Sequence, residues 1–446
     1  MEQEESVFKK EKALNIYTSW YSRYIIILII SCLLGTICGL VMVVFNYLLI
    51  FFKLGFSFIP YFISPIIAGA LTSLLVKKGI KKNLFLIMGS GVAEFVAEAT
   101  GEEYGYNRLP VLLSKTFATS WTFGSGMVCG KEGPGLLIGS NLGYLIAKKF
   151  ERNELDLDDY YFIGASACTS AILRTPISGA LFCAELPYSN HIRYRSLLPS
   201  IIASIIAFLI FSLFFEFKPL IETNLTEVEK INYFDLLPLL FLFGIFVGVI
   251  MFLIINSIAR WMEVLKNHFR KKAGFWKLPL IGGTFYSIFL FLIIPIINPE
   301  YSGIIIGPDT SILSLILNSI RIMHWLTLLM LLLLFLTAIL LSIGFYNSAG
   351  LILPLMLLGA LIGGLFGVIF YPQYPELFVL LGISAVLGAS LKNPITAIIL
   401  IVEMTWEPFL FIPAGIITII AYIISGPKTI IPGQRKVKKI KTLKDQ

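Results

Sequence analysis

Charge is scarce in this sequence. Only 14% of its 446 residues are Asp, Glu, Lys or Arg, against roughly 25% in soluble globular proteins. A folded surface in water needs more than that, which excludes a soluble enzyme or binding module. Histidine is rarer still: His191, His268 and His324 stand far apart, so no metal-ligand cluster is expected. The five cysteines (Cys32, Cys38, Cys129, Cys168, Cys183) lie in apolar stretches without a CxxC pair. An odd, unpaired set makes no disulfide framework, and they read as small core residues. There is no GxSxG, no HExxH and no P-loop. The nearest approach, Gly124 to Lys131, has the wrong spacing and runs on into Glu132 where Ser or Thr would be needed. No catalytic residue, metal or cofactor is expected, and an intramembrane enzyme is a remote alternative.

What the chain has in abundance is apolar surface, at 57% of residues and a mean hydropathy of +0.86. This composition predicts an all-α polytopic membrane protein, with room for on the order of ten to fifteen spans of about 20 residues. Apolar segments follow one another from 24 to 425. Those at 133–148, 160–172, 175–187, 376–391 and 394–405 fall short of a perpendicular crossing. Short segments interrupted by Gly and Pro point to broken or re-entrant helices around a polar cavity.

Residues 1–23 mix four acids with four bases, and the first long apolar run begins only at Tyr24. That order does not make a secretory signal, so the first span is expected to persist. The formal net charge is +8, and from Pro427 onward seven cations face Asp445 alone. No aromatics interleave them for base stacking, so the tail reads as a cytoplasmic end and no nucleic-acid partner is expected. The basic stretch 260–277 is placed inside and the acidic stretch 216–235 outside. Asn224-Leu225-Thr226 reads as a chance sequon. Both termini are expected in the cytoplasm, with no soluble domain after residue 446.

Two stretches about 220 residues apart resemble each other: TFGSGMVCGKEGPGLLIGSNLG at 122–143 and SIGFYNSAGLILPLMLLGALIG at 342–363. Each is a Gly-rich approach to a helix started by Pro134 or Pro354, as expected for two related halves. Free amides and the dipole at such helix starts form an anion site without a full positive charge, weak enough to release what it binds. The amides of Leu351 and Ile352 are offered in this way, and Gly89-Ser90-Gly91 adds a hydroxyl on a Gly-flanked turn. Glu132 then occupies the place that a free anion would take. It acts as a tethered anion that vacates the site when protonated or swung aside. The alternative is a purely structural acid at a helix start, but acids at membrane depth default to function.

These motifs resemble the CLC family of chloride channels and chloride/proton exchangers. The resemblance is carried by GSGVAE at 89–94, GKEGPGLLIGSNLG at 130–143, PISGALFCAE at 176–185, GLILPLMLLGALIG at 350–363 and NPITAIILIVEMT at 393–405. It implies a CLC-type fold of two inverted repeats over 24–426, flanked by the 1–23 segment and the 427–446 tail. It also implies a homodimer in the plasma (inner) membrane, with one chloride pathway per subunit. By position, Ser90 and the amides of Leu351 and Ile352 would hold the central anion. Glu132 would be the external gate, and Gly130, Lys131 and Gly133 would shape its loop. Ser at position 90 implies a preference for chloride.

The chain departs from the family pattern at four places, two of them at the inner end of the pathway. Val92-Ala93 replaces the usual Ile-Pro, and Ile352 stands where the family has Phe. The family's proton glutamate would follow Glu185 directly, but that position is Leu186, and adjacent helical residues point about 100° apart. The inner-gate tyrosine position falls on Ile430, with Tyr422 too early in the chain. Leu186 and Ile430 favour an uncoupled or weakly coupled, channel-like chloride path. The alternative is a chloride/proton antiporter, favoured by Glu132 and by the absence of a cytoplasmic regulatory domain. Elsewhere, Ser125, Ser140 and Asn141 read as packing residues and Lys115 as a source of positive potential. Glu94, Glu98, Glu102 and Glu103 read as a wet segment end. Glu403 and Glu407 read alike, with burial and pairing an option for Glu403.

Overall fold

The long apolar runs all become helices. The computed structural model describes residues 2–79, 84–101, 105–149, 156–189, 191–223, 233–271, 274–307, 309–431 and 435–436. The Asn224–Thr226 sequon and most of the basic tail lie outside them. Among the described residues there are sixteen α-helices, and they fall into two sets of eight in the same order. The first set is α1 (Glu2–Ser57), α2 (Ser64–Lys78), α3 (Val92–Ala99), α4 (Arg108–Gly124), α5 (Glu132–Lys149), α6 (Leu157–Leu173), α7 (Pro176–Glu185) and α8 (Leu197–Ser212). The second is α9 (Tyr233–Lys271), α10 (Leu278–Ile293), α11 (Ser311–Ser319), α12 (Trp325–Ser342), α13 (Ile352–Phe370), α14 (Pro375–Leu391), α15 (Pro394–Thr405) and α16 (Phe411–Ile424). Two helix ends differ from the sequence reading. The helix of α1 runs back through the charged 1–23 segment to Glu2, and α9 runs on to Lys271 through stretch 260–271, read as a loop. Between Pro238 and Gly274 no Pro or glycine pair interrupts α9, so the helix continues past its apolar part.

The packing is duplicated as well. In each set the fifth helix lies along the sixth, the sixth meets the seventh and eighth, and the first packs on the eighth. Close contact of α5 with α6 uses Gly139 and Gly143; that of α13 with α14 uses Gly359 and Gly363, where an added methyl would strike the neighbouring backbone. Small residues let helices approach this closely in a membrane. The sharp returns are duplicated too. Arg174 (φ 57°) ends α6 and Lys392 (φ 59°) ends α14, both left-handed, and each is followed two residues later by the proline that starts α7 or α15.

The two sets cross-connect at α2–α10 and α7–α15. At the second junction each helix caps the other. The Glu185 carboxylate, at the end of α7, accepts from the amides of Ile395 (3.3 Å) and Thr396 (2.9 Å) and from the Thr396 hydroxyl (2.6 Å). The Glu403 carboxylate, near the end of α15, accepts from the amides of Ile177 (3.0 Å) and Ser178 (2.7 Å) and from the Ser178 hydroxyl. A carboxylate on the free amides of a helix start satisfies donors that have no intrahelical partner. Of the two sequence options for Glu403, it takes the paired one.

Candidate functional site

Three loops meet at the centre of the molecule. The first carries Ser90 between Gly89 (φ +76°) and Gly91 (φ +83°). Such left-handed positions on both sides are open to glycine at little strain. They turn the chain so that the Ser90 Oγ accepts from the Val92 amide (3.2 Å) at the start of α3, leaving its own hydrogen to donate. The turn is held from behind by Lys115 of α4, whose Nζ donates to the carbonyls of Ile87 (2.9 Å) and Gly89 (2.7 Å). Lys115 is fully buried, so it does not snorkel to an interface.

The second and third loops precede α5 and α13. Gly130 and Gly350 exchange both backbone hydrogen bonds at 2.8 Å in an antiparallel bridge. The Ser90 turn joins them: the Gly89 amide donates to the carbonyls of Tyr346 (3.2 Å) and Asn347 (3.1 Å), and the Gly89 carbonyl accepts from Ala349 (3.2 Å). A methyl built on Gly133 would sit 2.6 Å from the Ser90 carbonyl oxygen, which places the Ser90 turn against the Glu132 loop. The starts of α3, α5 and α13 therefore converge, and the first amides of each helix have no partner within it.

Glu132 lies at this convergence, 1% exposed. Its carboxylate folds back over Gly130, within electrostatic reach of the amides of Glu132 itself, Leu353 and Lys131. Neither carboxylate oxygen has a hydrogen-bond partner within the protein. Lys131 does not pair with it; its Nζ lies on Asn46 Oδ1 of α1 (3.3 Å). A buried carboxylate without such a partner is costly to hold in its charged form, by several kcal/mol.

Next to Ser90 is a cavity of about 60 Å³, where one water requires roughly 10–15 Å³. Ser90, Leu351 and Ile430 line it together, so two of the predicted anion residues share one space with the expected inner-gate position, while Ile352, Gly130, Lys131 and Gly133 are not on its wall. Leu186 lies apart, fully buried at the foot of α7, and Glu185 beside it is committed to capping α15.

The family model for the voltage-gated chloride channel matches residues 80–426. The chain belongs to the voltage-gated chloride channel (CLC) family. Among curated relatives, the H(+)/Cl(-) exchange transporter ClcA of Salmonella paratyphi B is 28% identical over 340 residues, 73% of this chain and 67% of that one. ClcA of Salmonella arizonae matches to the same extent. Two solved structures share the fold. A slow cyanobacterial Cl-/H+ antiporter aligns at TM-score 0.74 and 18% identity, covering 91% of this chain and 96% of that one. A CLC-type fluoride/proton antiporter aligns at 0.75 and 20%, covering 93% and 99%.

Two groups in this CLC chain depart from their sequence reading. Glu94 and Glu98 are not at a wet segment end. Glu98 pairs with Arg108 at 2.9 Å, and that guanidinium stacks on Tyr144 at 3.6 Å. Glu94 lines the cavity beside Ser90, with Oε2 buried and unpartnered. Its neighbours Glu98, Glu102 and Glu103 give the stretch a solvent-like look, while the residues that cover it come from α9, α12 and 430–431. Tyr346, also on the cavity wall, carries no mark in the sequence; in the structure it takes a left-handed φ of 60°. Ser140 and Asn141 are packing residues as read: both side chains donate to the Leu137 carbonyl.

Proposed function

We propose that this chain moves chloride across a membrane in exchange for protons, along a path that passes Ser90 and is closed by the Glu132 carboxylate. The observation that carries the reading is Glu132 itself, buried, with both carboxylate oxygens lacking a hydrogen-bond partner, and set beside the amides that start α5 and α13. Amides and helix dipoles attract an anion without trapping it. The carboxylate competes with chloride for the same field. Protonation cancels its charge, weakens its attraction to the nearby amides and lets the side chain swing out, so that chloride takes its place. Deprotonation restores the block. The Ser90 hydroxyl and the amides of Leu351 and Ile352 hold the ion on the inner side of that gate, and Gly130, Lys131 and Gly133 shape the gate loop. Exchange is supported by the ClcA relatives, which are H(+)/Cl(-) exchange transporters. The protein works as a homodimer in the plasma (inner) membrane, with both termini in the cytoplasm and the chain divided as 1–23, 24–426 and 427–446. Apolar side chains exposed on α8 and α16, such as Leu209 and Ile419, face lipid or a second copy.

A second reading, uncoupled chloride flow, is favoured by Leu186, which carries no proton, and by Ile430 on the cavity wall. Reconstitution in liposomes with a chloride gradient, recording chloride and external pH together, separates the two. Exchange predicts protons driven against their own gradient by chloride. E132A is expected to keep moving chloride while proton movement falls on the order of a hundredfold or more. Chloride flux with no proton movement in the wild type leaves the uncoupled reading. A folded preparation that moves no anion overturns both.

A further inference from the structure

The exchange reading calls for a group that can take up a proton beside the anion path, and Leu186 is not one. The cavity beside Ser90 supplies one. Glu94 sits one helical turn after Ser90 on α3, and both line the same space. Its Oε2 is buried and has no hydrogen-bond partner within the protein, although a carboxylate at this depth is costly unless something is bound to it. Backbone amides of Gly91 and Glu94 lie by its carboxylate, but no cation neutralises it by contact. Lys115 of α4 is the nearest cation in effect, but its Nζ is taken up by the carbonyls of Ile87 and Gly89 and forms no ion pair. Glu98, one turn on, is engaged with Arg108. Tyr346 lines the cavity, with its hydroxyl turned to the Met262 carbonyl (3.4 Å). Tyr106 lies within electrostatic reach, with its hydroxyl on Asn141. From α9, α12 and 430–431 the cavity receives only apolar side chains, Ile258, Ile339 and Ile430 among them.

We propose that Glu94 is the inner proton carrier of the exchange, taking over from the Ser90 cavity the task that Leu186 cannot perform. The inference rests on the exchange reading. A proton from the inner solution binds the Glu94 carboxylate, forming its O–H bond. That bond breaks as the proton passes through cavity water to the Glu132 carboxylate, which then opens. One proton enters and one leaves, and no oxidant or other reactant is needed. The cavity has room for several waters. The Ser90 turn, flanked by Gly133 on one side and the cavity on the other, is the partition that the proton crosses.

The test measures chloride and proton fluxes from liposomes holding wild type, E94Q and E94D. If wild-type chloride flux carries no protons, the exchange reading fails and this assignment with it. If wild type exchanges, E94Q is expected to lower the protons moved per chloride by about tenfold or more. E94D is expected to restore most of the ratio with a shifted dependence on inner pH. An E94Q ratio equal to that of wild type overturns the role of Glu94 and leaves exchange standing. So does a fall of both fluxes in parallel, which is what a merely structural residue would give. Should E94Q fail to fold, E94D decides alone: a shifted inner-pH profile supports the assignment, and an unchanged one overturns it.

Discussion

The loops Gly130–Pro134 and Gly350–Pro354 lie side by side, tied glycine to glycine by a pair of 2.8 Å hydrogen bonds. Each opens a long helix of the same rank in its own half. Their side chains nevertheless differ in kind: Lys131 and Glu132 in the first loop stand where Leu351 and Ile352 stand in the second. The backbone has built an anion-attracting helix start twice, and the side chains have assigned the two copies different work. In the proposed mechanism, the copy that carries its own anion is the gate. In that mechanism, the other copy, which offers bare amides, is the seat. The likeness of these two loops belongs to the backbone, and their difference lies in the charged pair Lys131 and Glu132.

The hardest blow to this arrangement falls on the bridge. A methyl on Gly350 would press into the Gly130 carbonyl, with its carbon at 2.6 Å, and backbone cannot yield. A methyl on Gly130 would press first on the Glu132 carboxylate and stand 3.2 Å from the Gly350 oxygen, and the carboxylate can move. G350A is therefore expected to cost about 3 kcal/mol or more, seen as a large fall in the unfolding midpoint in detergent. G130A is expected to cost about 1 kcal/mol but to displace Glu132 and change the chloride flux. Equal losses would mean that the loops respond as equivalents.

The reciprocal caps give a milder contrast. Glu185 is buried whereas Glu403 is part-exposed, and a charge-assisted bond matters more where water is excluded. E185Q is expected to lower stability by about 2 kcal/mol and E403Q by about 1 kcal/mol, with the double variant losing less than the sum because both caps hold the same helix pair. Chemical unfolding of all three proteins checks the order. The smallest effect lies at the left-handed residues. R174G is expected to stabilise by about 0.5–1 kcal/mol, since glycine relieves the strain of a positive φ. K392G is expected to gain less, because it gives up the 2.6 Å bond from Lys392 Nζ to Ser425.

Much of this was legible in the sequence, for identifiable reasons. Helices α14 and α15 appear almost to the residue, because Pro375 and Pro394 mark their starts and apolar runs their extents. Glu132 is legible because an acid between glycines and a proline, ahead of an apolar run, is costly at membrane depth and stands out from its segment. Glu94 is not legible, because its own segment contains three further acids and its cover arrives from residues more than 150 positions away. The cap made by Glu403 is hidden in the same way, with its partners Ile177 and Ser178 in the other half of the chain. Local pattern reports which residues are unusual for their segment. It does not report what a distant segment brings to them.

The mutual capping of α7 and α15 also sets an order of assembly. Ile177 and Ser178 wait for Glu403, and Glu185 waits for Ile395 and Thr396. At roughly 5–20 residues per second, synthesis of the intervening 218 residues takes on the order of 10–40 s. Throughout that interval the first half sits in the membrane with a helix start uncapped and a carboxylate uncommitted. The first eight helices are thus a lodger in the bilayer, and the nascent chain becomes a finished protein only when its last turns arrive.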